Sequence, residues 1–166
     1  NEVFGIFPMI VGSVFVTGLA IAFGVPFGIL CAVYLAYFSR RNRYLTPLVE
    51  LMAGIPSIVY GFFGLIVVVP FFSQIFETNG KGLMSASVLL AMMILPTIIL
   101  VSKSSIEAVS KSYFEGAIAL GASKERAVFF VVLRDAKSGI LASVILGIGR
   151  AIGEAMAVIV VAGDQP

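Results

Sequence analysis

The chain has 166 residues, 60% of them hydrophobic and only 12% charged, with a net charge of +2 and a mean hydropathy of +1.09. Soluble domains carry about 25% charged residues, so this composition excludes an ordinary water-facing surface and points to the membrane. The absence of His removes histidine catalysis and His-based zinc, and a single cysteine, Cys31, removes an internal disulfide framework or a multi-cysteine metal cluster.

The first residues, NEVFGIFP, lack the basic region of a signal peptide and lead into an apolar run too long for one. The chain starts without Met and stops at GDQP just after another apolar run, as a piece of a larger protein would. About 20 apolar residues cross a hydrocarbon core of roughly 30 Å, and four segments reach that length. The first is Val11 to Ala36, with Pro26 placed to bend it and Cys31 expected to be buried and inert within it. The second is Ser57 to Phe76, with Pro70 near one end. The more amphipathic YLTPLVELMAGIP ahead of it is either a separate short helix or its first turns. The third, Gly82 to Val101, comes after the tight turn demanded by Asn79-Gly80 and Lys81-Gly82, and the fourth is Gly139 to Ala162. Pro26, Pro56, Pro70 and Pro96 lie in or beside spans, as in broken helices that line a path or as ordinary kinks.

The basic residues orient these spans. Arg40, Arg41 and Arg43 come after the first span, and Lys103, Lys111, Lys124, Arg126, Arg134 and Lys137 lie between the third and fourth. The turn after the second span holds only Lys81, and the two ends of the chain hold no Lys or Arg. The positive-inside bias therefore makes residues 39–47 and 102–138 cytoplasmic and both ends extracytoplasmic, in a multi-pass protein of the cell inner (plasma) membrane.

The segment 102–138 is too long for a minimal connector. SSIEAVSKSYFEGAIALGASKERAVFFVVLRD places small, apolar and charged residues at helical spacing. Ser110 or Ser112 could cap one helix, and Gly121 could end it before Ser123 starts the next, giving two or three short helices outside the membrane core. Glu115, Gly116, Ala117, Ala119, Gly121 and Ala122 would let another surface approach closely, with Glu115 and Lys124 to specify it; a solvated or headgroup-lying connector is the plainer alternative. GASKERA is not a phosphate-binding loop of the GxxxxGK[ST] kind, so ATP binding of that kind is not expected. No carboxylate pair suggests hydrolysis, and Asp135 and Asp164 read as loop or interface residues.

In GIGRAIGEAMAV, residues 147–158, Arg150 and Glu154 stand four apart in an otherwise apolar run, and a continuous helix would put both on one face. A lone charge deep in a bilayer costs several kcal/mol even on mild insertion scales, so such groups face the bundle or a wet cavity. Two readings stay open from the pattern: an ion pair locking helices or snorkelling to an interface, and an Arg150 that draws anions along a path with Glu154 controlling its pose. Gly147, Gly149, Ala151 and Gly153 keep this helix thin enough for close neighbours.

EGAIALGASKERAVFFVVLRDAKSGI, residues 115–140, resembles the EAA loop of permease subunits in bacterial and archaeal ABC importers. Glu115 matches the leading Glu, Ala117 the second Ala, Gly121 the Gly, and Leu133 with Gly139-Ile140 the closing segment. Gly116 replaces the usual first Ala, and Arg134 stands where Pro is common. VTGLAIAFGVPFGILCAVYLAYF and VELMAGIPSIVYGFFG further resemble the entry span and second segment of phosphate permeases, and GIGRAIGEAMAVIVVAG resembles the C-type subunit of phosphate importers, with Ala155 where Thr is common. The resemblance implies an all-α, type I importer transmembrane domain forming a single domain over 1–166, with the coupling helix in the 102–138 loop. Complete members have about six spans, so the four here would be the central core.

It further implies a translocation path for inorganic phosphate and no enzymatic activity or cofactor in this chain. The implied partners are a second permease subunit, cytoplasmic ATP-binding subunits and an extracytoplasmic phosphate-binding protein, with no nucleic acid. Glu115, Gly116, Ala117, Ala119 and Gly121 would belong to the ATPase-coupling helix, and Arg150 with Glu154 to the substrate path. An importer for molybdate or sulfate, and a non-transporting docking or regulatory membrane protein, are the alternatives. A secondary transporter or channel fits less well, since inverted repeats are not evident.

Overall fold

The computed structural model describes residues 6–39, 42–76 and 82–154, and all of the regular structure among them is helical. Helix α1 covers residues 6–38: an α-helix Ile6–Val33, uninterrupted by Pro26, that widens at its end into a π-helical turn, Tyr34–Phe38. There the Ser39 amide donates to the Tyr34 carbonyl, five residues back, at 2.8 Å. Helix α2, Asn42–Ala53, ends before the second span rather than running into it. Gly54 and Ile55 turn the chain, and Pro56 takes the N-cap position of the next helix. Its missing N–H would be unpaired at a helix start in any case, and the residue before it is held out of the helical region.

Helix α3 covers residues 57–76 and consists of Ser57–Phe63, a wide segment Gly64–Val68, and Val69–Phe76. Pro70 stands just after the wide segment. A proline ring collides with the carbonyl four residues back, and a locally wider turn is one way for a helix to absorb that clash. Helix α4, Leu83–Glu107, runs six residues beyond the expected end of the third span. The extension carries Lys103 and Glu107 one turn apart, paired at 2.8 Å, so Lys103 belongs to a helix rather than to the loop. Helix α5 is Lys111–Ala119 and α6 covers residues 124–135, including a third wide segment, Ala127–Val132; α7 is Lys137–Gly153.

Among the described residues, three helices are long and apolar enough to cross a membrane: Ile10–Phe38, Ser57–Gln74 and Leu83–Glu107. The protein is thus an all-α polytopic membrane protein. The expected fourth span is described only as far as Glu154, and its remainder, from Ala155 on, lies outside the described residues. So do the expected tight turn at 77–81, Arg40 and Arg41, Asp164 and both ends of the chain.

Helix α4 is the centre of the bundle, with Leu89, Leu90, Met93, Ile94, Ile98 and Ile106 fully buried. The contacts that cover it fix the directions of its neighbours. A Cβ placed on Gly24 of α1 would lie 3.0 Å from Ile94, and one on Gly28 would lie 2.7 Å from Ile98, while Ala32 and Val33 cluster with Ile106. Numbers rise together, so α1 and α4 run parallel. On α7 the order reverses. Gly139 sits against Ser105, Ser143 against Ser102 and Gly147 against Ile98, so α7 is antiparallel to α4. Without water to drive helices together in lipid, such close approach of small residues is what association rests on. The C-terminal ends of α1 and α4 and the start of α7 meet at one end of the bundle, around Ile106, Val109, Val128, Val132 and Ala136.

Cys31 departs from expectation: it is exposed on α1 rather than buried. Apolar surroundings in a membrane chain include its lipid- or partner-facing exterior, where Phe23, Phe27 and Leu30 also stand exposed.

Candidate functional site

The expected site residues fall into two groups on different elements. The first belongs to the end of α7. Arg150 lies in the last turn of that helix, half-buried, and its Nη1 donates to the Thr97 hydroxyl of α4 at 2.9 Å. Thr97 stands ten residues before the end of α4, about 15 Å along the axis at 1.5 Å per residue, so the guanidinium is held well inside the bundle. Tyr60 is anchored by donating to the Met52 carbonyl of α2 at 2.9 Å, which ties α2 and α3 together across the Gly54–Pro56 turn. Met52, Ile55, Val59, Tyr60, Phe63 and Met92 line an apolar cavity of about 210 Å³ beside it.

Glu154 does not continue this helix face. The helix ends at Gly153, and Glu154 has left the helical path with φ −95° and ψ 56°. The four-residue spacing therefore does not stack the two side chains, and Arg150 bonds a neutral hydroxyl rather than the Glu154 carboxylate. Of the glycines expected to keep α7 thin, Gly147 is pressed against Ile98, while a Cβ on Gly149 or Gly153 would meet nothing within 4 Å among the described residues.

Just over one turn beyond Thr97 on α4, the buried Ser102 hydroxyl meets that of Ser143 at 2.7 Å. Ser143 already donates its single hydrogen to the Ile140 carbonyl at 2.7 Å, so Ser102 is the donor of the pair. Thr97, Tyr60, Ser102 and Ser143 were not singled out from the sequence. A polar residue directly after Pro96 in ILPTIIL was the available signal for Thr97.

The second group is α5 and the turn after it. Ser110 occupies the N-cap position of α5, and its hydroxyl bonds that of Ser112 at 2.8 Å. The helix starts one turn ahead of Glu115, and none of its residues is buried. Glu115, Gly116 and Ala119 are exposed and Ala117 is half-buried; Ile118 is 40% exposed and Leu120 91%. Gly121 takes φ 88°, a left-handed conformation that closes the helix and that a side chain would disfavour. Ser123 caps α6, accepting from the Arg126 amide at 3.3 Å. Beneath α5 lies a cleft of about 520 Å³ lined by Ala36, Tyr37, Glu107, Val109, Lys111, Phe114 and Glu115. Glu115, Gly116, Ala117, Ala119 and Gly121 are thus brought together on one exposed element, apart from Arg150 and Glu154. Among the described residues, no group of three or more His, Cys, Asp or Glu could hold a metal ion.

Residues 24–166 match the family described as binding-protein-dependent transport system inner membrane component. The chain is 39% identical over 97% of its length to the probable ABC transporter permease protein YqgH of Bacillus subtilis. It is 36% and 32% identical, over 99% of its length, to the phosphate transport system permease proteins PstC of Mesorhizobium japonicum and Haemophilus influenzae. It spans 53%, 57% and 59% of the lengths of these three relatives. Among solved structures, the inward-facing MetNI methionine ABC transporter superposes with a TM-score of 0.67 at 21% identity, over 91% of this chain and 69% of that one. An amino acid ABC transporter gives 0.63 at 22%, over 87% and 66%. The fold is therefore shared with these ABC transporter chains, and by the family match over residues 24–166 the chain belongs to the inner membrane components of binding-protein-dependent transport systems.

Proposed function

We propose that this chain forms part of the translocation path of an importer for inorganic phosphate, moving its substrate without changing it. The observation that carries the reading is Arg150: a guanidinium inside the bundle whose bonded partner is a hydroxyl. A carboxylate partner would neutralise it and make it a structural lock. Among the described residues its bonded partner is Thr97 instead, which leaves its charge uncompensated there, and its planar fork has further donors suited to phosphate oxygens. Thr97 holds the pose, and Glu154, just past the end of α7, limits the excess charge of the path. The identity to phosphate permeases supports phosphate over other oxyanions.

In this reading the segment Gly139 to Ala162 as a whole crosses the membrane as the fourth span, residues 39–47 and 102–138 lie in the cytoplasm, and both ends of the chain lie outside. The exposed α5 and its turn, Glu115 to Gly121, form the coupling helix seated in a cytoplasmic ATP-binding subunit. A second permease subunit completes the channel, and an extracytoplasmic phosphate-binding protein delivers the anion. ATP hydrolysis belongs to the partner, and its closure drives alternating access through α5.

The test is ATP-driven phosphate uptake into vesicles by the full-length protein with its co-purifying subunits. Arg150→Leu, in a variant that still assembles, is expected to lower uptake at least about tenfold, since a charge-assisted contact is worth roughly 1.5–3 kcal/mol. Unchanged uptake and affinity would sink the role of Arg150. Competition by molybdate or sulfate stronger than by phosphate would move the substrate to those anions. Co-purifying ATPase without any solute flux would leave a docking protein.

A further inference from the structure

The coupling helix α5 has no buried residue of its own, so a push on it must enter the bundle through particular contacts. Two of these land on adjacent residues at the end of α1. The Phe114 ring of α5 packs on Tyr37, with centroids 5.1 Å apart and planes tilted by 42°. The Lys124 ammonium, at the start of α6, sits 4.9 Å from the centre of the Phe38 ring. Phe114 and Lys124 flank the stretch 115–123 in sequence, so the two rings hold it at both ends.

We propose that Tyr37 and Phe38 form an aromatic clasp that fastens the loop to α1, and that displacement of the loop enters the bundle through α1. The proposal rests on the reading that this loop docks an ATPase. Tyr37 and Phe38 belong to the wide turn of α1, the kind of segment that occurs often at functional sites. From there α1 is keyed to α4 by Gly24 against Ile94 and Gly28 against Ile98. Ile98 also abuts Gly147 of α7 and is the neighbour of Thr97, which holds Arg150. A shift of α1 against α4 therefore bears on Ile98, the chain neighbour of the residue that poses the guanidinium. Tyr37, Phe38 and Lys124 are positioning residues; none of them is placed on the substrate path.

The experiment uses the intact transporter in vesicles with inorganic phosphate and measures ATP hydrolysed per phosphate moved. Combined Tyr37→Ala and Phe38→Ala is expected to raise that ratio about five- to tenfold with the ATPase still bound, from loss of a ring pair and a cation–π contact. Tyr37→Phe, which keeps the ring, is expected to keep the wild-type ratio. If the double alanine variant fails to assemble, Lys124→Gln at an exposed site decides instead. It should raise the ratio about two- to fivefold, Lys124→Arg should restore it, and adding Phe38→Leu should change nothing more. Additive effects of Lys124→Gln and Phe38→Leu overturn the clasp. So does a wild-type ratio in the double alanine variant while Gly121→Trp, in the turn after α5, uncouples the transporter. A wild-type ratio with Gly121→Trp as well overturns the clasp together with the ATPase-docking reading.

Discussion

Two regions of this chain use the same small residues for different ends. Where α1 and α7 lie against α4, each glycine notch is filled from within the chain: Ile94 at Gly24, Ile98 at Gly28 and Gly147, Ser105 at Gly139. On α5 and its turn the notches stand open, and a Cβ on Gly116 or Gly121 would meet nothing within 4 Å. A small residue in a helix therefore has no single meaning. In the bundle it sets how closely two helices of this chain approach, and on α5 it leaves room that no described part of this chain occupies.

Substitutions that fill these notches sharpen the contrast. Gly139→Leu should be the most damaging, because its Cβ would fall on the side chain of Ser105 with that residue's Cα only 3.7 Å away. A loss of about 3 kcal/mol is expected, read as a fall in membrane yield and in the thermal unfolding midpoint in detergent. Gly116→Leu should leave that midpoint unchanged to within about 0.5 kcal/mol, yet weaken co-purification of the ATP-binding subunit about tenfold, or roughly 1.4 kcal/mol. Equal damage to the bundle from both would erase the distinction. Gly121→Ala should cost about 1 kcal/mol, confined to α5: amide exchange there speeds up while α4 stays protected. Ser143→Ala should be mildest, near 0.6 kcal/mol, and should appear as a small drop in the unfolding midpoint with transport retained.

The first three spans and the short helices of the loop were legible because each depends on local chemistry. Apolar run length marks α3 and α4, Ser110 and Ser123 stand at helix starts, and Gly121 stands where a left-handed residue is needed. What was not legible depends on which side of an apolar helix faces protein. Val16 is buried and Val14 66% exposed on the same helix, and hydropathy cannot separate them. The same ambiguity misplaced Cys31. For Arg150 and Glu154 the spacing argument needed helix through residue 154, and the helix stops at Gly153, where glycine lowers the cost of leaving it. The partner that actually holds Arg150 sits 53 residues away in sequence, beyond the reach of any local pattern.

The buried hydroxyls of Ser102 and Ser143 have a mechanical consequence. Their hydrogens run in one direction, from Ser102 to Ser143 to the Ile140 carbonyl, and each has found its acceptor in an apolar interior. Sliding α7 along α4 by one helical turn moves one oxygen about 5.4 Å past the other, which breaks a bond of 2.7 Å. Tilting α7 about the same point leaves the bond intact. The pair thus acts as a pin through two crossing beams, permitting rotation and resisting translation. Any rearrangement of this bundle that keeps the pin should swing the Arg150 end of α7 through an arc, with Ser143 close to its still centre.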